Sequence, residues 1–129
     1  MHSLVVEDDV TSRTILCRLL EKYGPCDFAE DGLAGVAAAE KALANGHPYD
    51  LVCLDIMMPE LDGQQALGRI RKIEREAGVA GTGCAKVFMV SAAFDERSVL
   101  ERIEEWDAYI VKPIDQRQIV AELERFGLI

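Results

Sequence analysis

The run Asp50-Leu51-Val52-Cys53-Leu54-Asp55-Ile56-Met57-Met58-Pro59-Glu60-Leu61-Asp62-Gly63 sets four consecutive apolar residues between two aspartates, then leads into a Pro- and Gly-bearing loop. A short run this rich in aliphatic side chains fits a strand buried on both faces, the pattern of a parallel sheet. Three other runs share the plan. Leu4-Val5-Val6 ends in Glu7-Asp8, Val87-Phe88-Met89-Val90 in Ser91, and Tyr109-Ile110-Val111 in Lys112. Ligands of open parallel sheets bind just beyond the carboxyl ends of the strands. Carboxylates, a hydroxyl and an ammonium far apart in sequence are therefore expected to meet at one edge of the fold. That set suits a divalent cation and a phosphoryl group.

The segments between these runs read as helices. A strand over Ser3 to Glu7 leads to a helix capped by Thr11, with an apolar stripe of Ile15, Leu16, Leu19, Leu20 and Tyr23, stopped by Gly24-Pro25. Cys26 to Glu30 is a short strand expected at the sheet edge. Asp31-Gly32 turns the chain into an Ala-rich helix carrying Val36, Ala39, Ala42 and Leu43, whose small side chains allow close packing. The strand Asp50 to Leu54 and the loop Asp55 to Asp62 precede a helix from about Gly63 to Ala77, with Leu67, Ile70 and Ile73 inward. Gly78 to Ala85 holds three glycines and no period, so it reads as a flexible connection. Lys86 to Val90 is a strand, Asp95 caps a helix carrying Val99, Leu100 and Ile103, and Ala108 to Val111 is the last strand. A final helix from about Asp115 to Phe126 turns Ile119, Val120, Leu123 and Phe126 inward. Five strands alternating with five helices, without repeat or linker, predict one doubly wound α/β domain over residues 1–129.

The 129 residues suffice for a real core, and 50% of them are hydrophobic, which argues against disorder. A net charge of −9 argues against nucleic acid or an anionic membrane as a direct partner. No secretory apolar core follows Met1, and no run approaches the length of a membrane span, which points to a cytoplasmic protein. Cys17, Cys26, Cys53 and Cys84 form no C-x-x-C pair, and His2 and His47 lack ligand spacing, so the cysteines read as free thiols and not as a zinc site.

Three carboxylates at one sheet edge, Glu7, Asp8 and Asp55, repel one another unless a cation sits among them. Magnesium usually takes one or two protein carboxylates, keeps several waters and accepts phosphate oxygens. Lys112 adds a second positive centre and Ser91 a hydroxyl donor, so an aspartate among them is equipped to be phosphorylated. Each residue alone also has an ordinary structural explanation. Glu7-Asp8-Asp9 can be a solvated turn with a capping acid, Asp55 a turn residue, Ser91 a helix cap and Lys112 an exposed lysine. Their joint placement at four strand ends favours the site.

The segments LVVEDD, DLVCLDIMMPELDG, VFMVSAA and YIVKPI, in this order and spacing, resemble the receiver domain of two-component response regulators over essentially the whole chain. The resemblance implies a flavodoxin-like sheet in the order 2-1-3-4-5. It makes Asp55 the acceptor of a phosphoryl group from a phosphohistidine. Mg²⁺ would be held directly by Asp8, Asp55 and the backbone carbonyl of Met57, and through water by Glu7. Lys112 would pair with Asp55 and then with the phosphoryl group, and Ser91 would hydrogen-bond to it. Asp9 matches a variable position and is left outside the metal's ligands. Pro59, Asp62 and Gly63 match the loop that shapes the site, and a cis peptide is implied before Pro113. Tyr109 matches an aromatic switch. Together with Ser91 it would remodel the face made by the fourth predicted helix, the last strand and the last helix. Met57 and Ala93 match the positions that set the lifetime of the phosphorylated form.

The implied partners are a sensor histidine kinase or a histidine phosphotransfer protein as donor, and a downstream protein as target. A phosphorylation-dependent dimer is also compatible with the family. The connection over Gly78 to Ala85, with Arg69, Arg71 and Glu74 before it, resembles receivers attached to hybrid kinases, so a receiver cut from a larger regulator stays open. With Ile129 as the last residue read, no output domain is expected, and a DNA-binding role for this chain itself is unsupported. A metal-dependent phosphatase using Asp55 as nucleophile is the main enzymatic alternative, but Met57 stands where such enzymes commonly place an acid. A flavodoxin-like nucleotide site would need a phosphate loop where Glu7-Asp8-Asp9 would repel phosphate. The expected outcome is a signalling domain that assists its own phosphotransfer and dephosphorylation, and not an enzyme acting on other substrates.

Overall fold

The computed structural model describes residues 1–58, 61–92 and 106–129. Five parallel strands form one sheet in the order β2-β1-β3-β4-β5: β1 (Ser3–Val6), β2 (Cys26–Ala29), β3 (Leu51–Asp55), β4 (Lys86–Ser91) and β5 (Ala108–Val111). Among the described residues there are four α-helices: α1 (Val10–Leu20), α2 (Gly32–Ala44), α3 (Gly63–Glu76) and α4 (Gln116–Arg125). The helix predicted after Asp95, carrying Val99, Leu100 and Ile103, lies outside the described residues, as do Pro59 and Ala93.

Alternation along the strands sends side chains to two cores, one on each face of the sheet. Leu4, Val6, Val52, Leu54, Val87 and Met89 pack under α2 and α3 with Ala39, Ala42, Leu67 and Ile70. Val5, Leu51, Cys53, Phe88, Val90 and Ile110 pack under α1 and α4 with Leu16, Leu20, Ile119 and Leu123. The three inner strands are buried along nearly their whole length, which is why they carry unbroken apolar runs. The edge strand β2 leaves Asp27 and Phe28 exposed, which explains its weaker sequence signal. Small residues let α2 lie close on β1, since a Cβ at Gly35 would overlap the Val6 side chain.

Several boundaries depart from the sequence expectation. Asp9, not Thr11, caps α1, its carboxylate accepting from the Ser12 N–H at 3.0 Å. Ile15 turns toward solvent instead of joining the apolar stripe. The capping box at the start of α3 is formed by Asp62 and Gln65, and on the last turns of α3 Glu74 is buried where Ile73 is only half so.

That buried acid changes the reading of the Gly78 to Ala85 connection. Glu74 Oε2 accepts the Ala85 N–H at 2.7 Å, while Arg71 donates to Glu74 Oε1 at 2.7 Å and to the Ala85 carbonyl at 2.8 Å. Asp107 completes the set, accepting the Val87 N–H at 2.8 Å and facing Arg71 at 3.4 Å. A short 3₁₀ turn at Gly81–Gly83 lies within the connection. The far end of the loop is therefore clamped to the helix it leaves.

Candidate functional site

β1 and β3 are adjacent, with Val6 opposite Leu54, so Glu7 and Asp55 leave the sheet side by side. Oxygens of Glu7, Asp8 and Asp55 lie within 4.8 Å of one another. Glu7 is 1% exposed and Asp55 5%, whereas Asp8 faces solvent. Two buried carboxylates and one exposed one thus share a single corner.

Lys112 reaches this corner from the end of β5. Its Nζ is 3.0 Å from Glu7 Oε2 and 3.6 Å from Asp55 Oδ2. The Lys112 N–H donates to the Ser91 carbonyl at 2.7 Å, which ties the lysine to the end of β4, and the Lys112–Pro113 peptide is cis. Burial pulls the ammonium pKa down, but Glu7 and Asp55 outweigh that and hold it above the ordinary lysine value.

One ammonium does not settle three carboxylates. Burial first, and then the neighbouring Asp55 carboxyl, push Glu7 up to about 7 despite Lys112. Glu7 Oε1 accepts the Asp9 N–H at 3.2 Å. Glu7 Oε2 is shielded from solvent without a hydrogen bond; Lys112 meets it as an ion pair, off the hydrogen-bonding direction. The Lys112 ammonium offsets part of the cost of burying this oxygen, and a further cation would offset more. The donor set is all oxygen, as a hard divalent cation prefers.

The backbone beyond Asp55 is held for the same corner. Asp55 Oδ1 accepts the Met57 N–H at 3.1 Å, and the Ile56 carbonyl accepts the Gly63 N–H at 3.0 Å. A Cβ at Gly63 would run into the Asp55 carbonyl, so glycine is needed where α3 starts against the loop. Met57 itself is 70% exposed at the rim.

Ser91 is buried at the end of β4, opposite Val111 in the register, one residue beyond the partner of Asp55. Tyr109 is half-buried on β5 against the α2–α3 core, and meets Trp106 edge-on with ring centroids 6.0 Å apart. The expected residues Glu7, Asp8, Asp55 and Lys112 are therefore brought together, Ser91 ends the neighbouring strand, and Tyr109 stands further back along β5. Ala93 falls outside the described residues. Two supporting residues were not foreseen. Arg13 donates to the Glu7 carbonyl at 3.3 Å, and Trp106 flanks Tyr109. Arg13, one turn after the acidic triplet, had a local signal; Trp106 had none.

Comparison with known proteins identifies the family and the fold. Residues 3–124 match the family described as the response regulator receiver domain. The chain is 38% identical over 79 residues, 60% of its length, to the transcription factor SKN7 of Saccharomyces cerevisiae, of which it covers 12%. It is 30% identical over 131 residues, 93% of its length, to probable histidine kinase 2 of Oryza sativa subsp. indica, again covering 12% of that protein. The chain thus spans about an eighth of these relatives. Among solved structures, the CheX–CheY–BeF₃–Mg²⁺ complex of Borrelia burgdorferi superimposes with a TM-score of 0.79 at 27% identity, covering 98% of this chain and 89% of that one. By the family match, the shared fold and the acidic corner, this chain belongs to the response regulator receiver domains, the phosphorylation-controlled modules of two-component signalling.

Proposed function

We propose that Asp55 accepts a phosphoryl group from a phosphohistidine, on a sensor histidine kinase or a histidine phosphotransfer protein, and that the modified domain then binds a downstream protein. The observation that carries this reading is the Lys112 ammonium, 3.0 Å from Glu7 and 3.6 Å from Asp55, at a corner where three carboxylates lie within 4.8 Å. An Asp55 oxygen attacks phosphorus as the phosphorus–nitrogen bond breaks. The bonding pair leaves with the imidazole nitrogen, which regains a proton from solvent. Lys112, already at the carboxylate, follows the charge onto the phosphoryl oxygens, and Ser91 offers them its hydroxyl.

The buried Glu7 Oε2, ion-paired with Lys112 but without a hydrogen bond, and the all-oxygen donor set fit Mg²⁺. Asp8, Asp55 and the Met57 carbonyl would hold it directly, and Glu7 through water. When bound, the ion neutralises charge on the phosphoryl oxygens.

Ser91 drawn toward the phosphoryl group would leave room for Tyr109 to turn inward, shifting a population already present in the unmodified protein. The affected surface would include β5 and α4, where we place the contact with the target or with a second copy. No helix among the described residues is long and apolar enough to cross a membrane, and a cytoplasmic setting suits the proposed donors.

Intact mass after incubation with acetyl phosphate and Mg²⁺ tests the proposal. A single phosphoryl addition is expected, absent from Asp55→Asn and from a sample lacking Mg²⁺. Addition that survives Asp55→Asn would place the acceptor elsewhere.

A further inference from the structure

Cys17 and Cys26 have no part in the acidic corner, yet they sit together. Cys17 lies on α1 and Cys26 opens β2, and both line one cavity of about 340 Å³ with Arg13, Arg18, Glu21 and Phe28. Both are half-buried against the α1–α4 core, open enough for a small reagent yet held in place by packing. Each thiol is close enough to bear on the other's titration, and Cys26 Sγ lies 3.6 Å from the Asp27 carbonyl. Cys53 is fully buried in the same core, and Cys84 stands apart in the loop before β4.

We propose that Cys17 and Cys26 are a dithiol–disulfide pair, oxidised by a carboxylate-bearing small disulfide of the glutathione type, which braces α1 against the edge strand β2. Arg13 and Arg18 at the cavity suit the carboxylates of such a reagent. The Cys26 thiolate attacks one sulfur of the small disulfide, forming a mixed disulfide and releasing one small thiolate. The Cys17 thiolate then attacks the Cys26 sulfur, closing the Cys17–Cys26 bond and expelling the second small thiolate. Two electrons pass from protein to reagent, and the two thiol protons pass to the departing thiolates.

Burial raises both thiols, Cys17 to about 12, whereas the neighbouring Ser3 and Cys17 side chains oppose the rise at Cys26. Cys26 is therefore the first attacker, and exchange is slow because thiolate is scarce. Slow closure suits a record of sustained oxidation. The brace also lies beside a path to the acidic corner. Arg13, one turn before Cys17, rests 4.8 Å over the Phe28 ring of β2 and donates to the Glu7 carbonyl.

The whole chain is equilibrated with oxidised glutathione, blocked with N-ethylmaleimide, digested with trypsin and mapped by mass. The expected product links the peptide 14–18 to the peptide 23–41, leaving Cys53 and Cys84 alkylated. The oxidised chain should also unfold a few degrees higher than the reduced one. Cys17→Ser or Cys26→Ser should abolish the link, and Cys84→Ser should keep it. Four alkylated cysteines, a stable glutathione adduct without closure, or a bond to Cys53 or Cys84 would overturn the pairing. An unfolding midpoint that does not rise would overturn the brace. The wild-type peptide map decides the pairing even if a serine variant folds poorly.

Discussion

The two ends of the sheet both bury charge, and they treat it in opposite ways. At the amino ends of β4 and β5, Arg71, Glu74 and Asp107 are matched: each charged group meets an opposite charge, and backbone N–H and carbonyl groups take up remaining positions. At the carboxyl ends of β1, β3 and β5, one lysine faces two buried carboxylates and an exposed third, and a buried oxygen of Glu7 has no hydrogen bond. A satisfied buried network fixes structure. An unsatisfied one persists where something outside the chain completes it, so the imbalance itself marks the working end.

Removing one charge from each end by the same substitution breaks the comparison most directly. Glu74→Gln leaves Arg71 undercompensated and weakens the bond to Ala85, so stability should fall by about 2–4 kcal/mol. Glu7→Gln removes one of two buried like charges while Lys112 keeps Asp55. In chelator it should leave stability unchanged or raise it by about 1 kcal/mol. Urea unfolding of both variants at one pH measures the difference. Equal losses would mean that the acidic corner is as well compensated as the clamp.

The contrast also explains what was legible in the sequence. The corner was readable because parallel strands expose their last residues at one edge, so four chemical groups following four apolar runs had to be neighbours. The clamp was not. Glu74 and Arg71 look like surface residues of an amphipathic helix, and their partners are an Ala85 backbone group and Asp107, far along the chain. Backbone partners leave no mark on composition. For the same reason the glycine-rich connection read as flexible, although its end is pinned. The cap at Asp9 was assigned to Thr11 because either residue type can cap, and only the bond to Ser12 decides.

A smaller effect sharpens the contrast within the corner itself. Asp8 is exposed and can offer its oxygens to an incoming ion, whereas Glu7 is buried beneath it and already engaged by Lys112 and the Asp9 N–H. Asp8→Ala should weaken Mg²⁺ binding at least about tenfold, and more than Glu7→Ala, which disturbs an outer-shell partner. Titration of the two variants with Mg²⁺ distinguishes them, and equal losses would count against a direct role for Asp8 alone.

The smallest expected effect concerns the rim. Hydrolysis of phosphorylated Asp55 needs a water aligned behind phosphorus, opposite the Asp55 oxygen. Met57 is fixed beside that carboxylate by its N–H at 3.1 Å from Oδ1, while its side chain is 70% exposed. A thioether at the rim offers no strong hydrogen bond to orient that water. The alanine at position 93, which we pair with Met57 in this proposed role, has no group that could hold water either. Lys112 would then stabilise a transition state that water seldom reaches, and the phosphoryl group should persist. Met57→Asn supplies a donor and an acceptor at the rim, and Ala93→Glu adds a second acceptor. The double variant should lose its phosphoryl group roughly threefold to tenfold faster than the parent in Mg²⁺ buffer, less than the ~10²-fold at stake in full positioning of a reacting group. Decay no faster than the parent, followed by intact mass, would show that the rim does not set the lifetime. Control would then lie with the charges of the corner, where Lys112 already stands between Glu7 and Asp55.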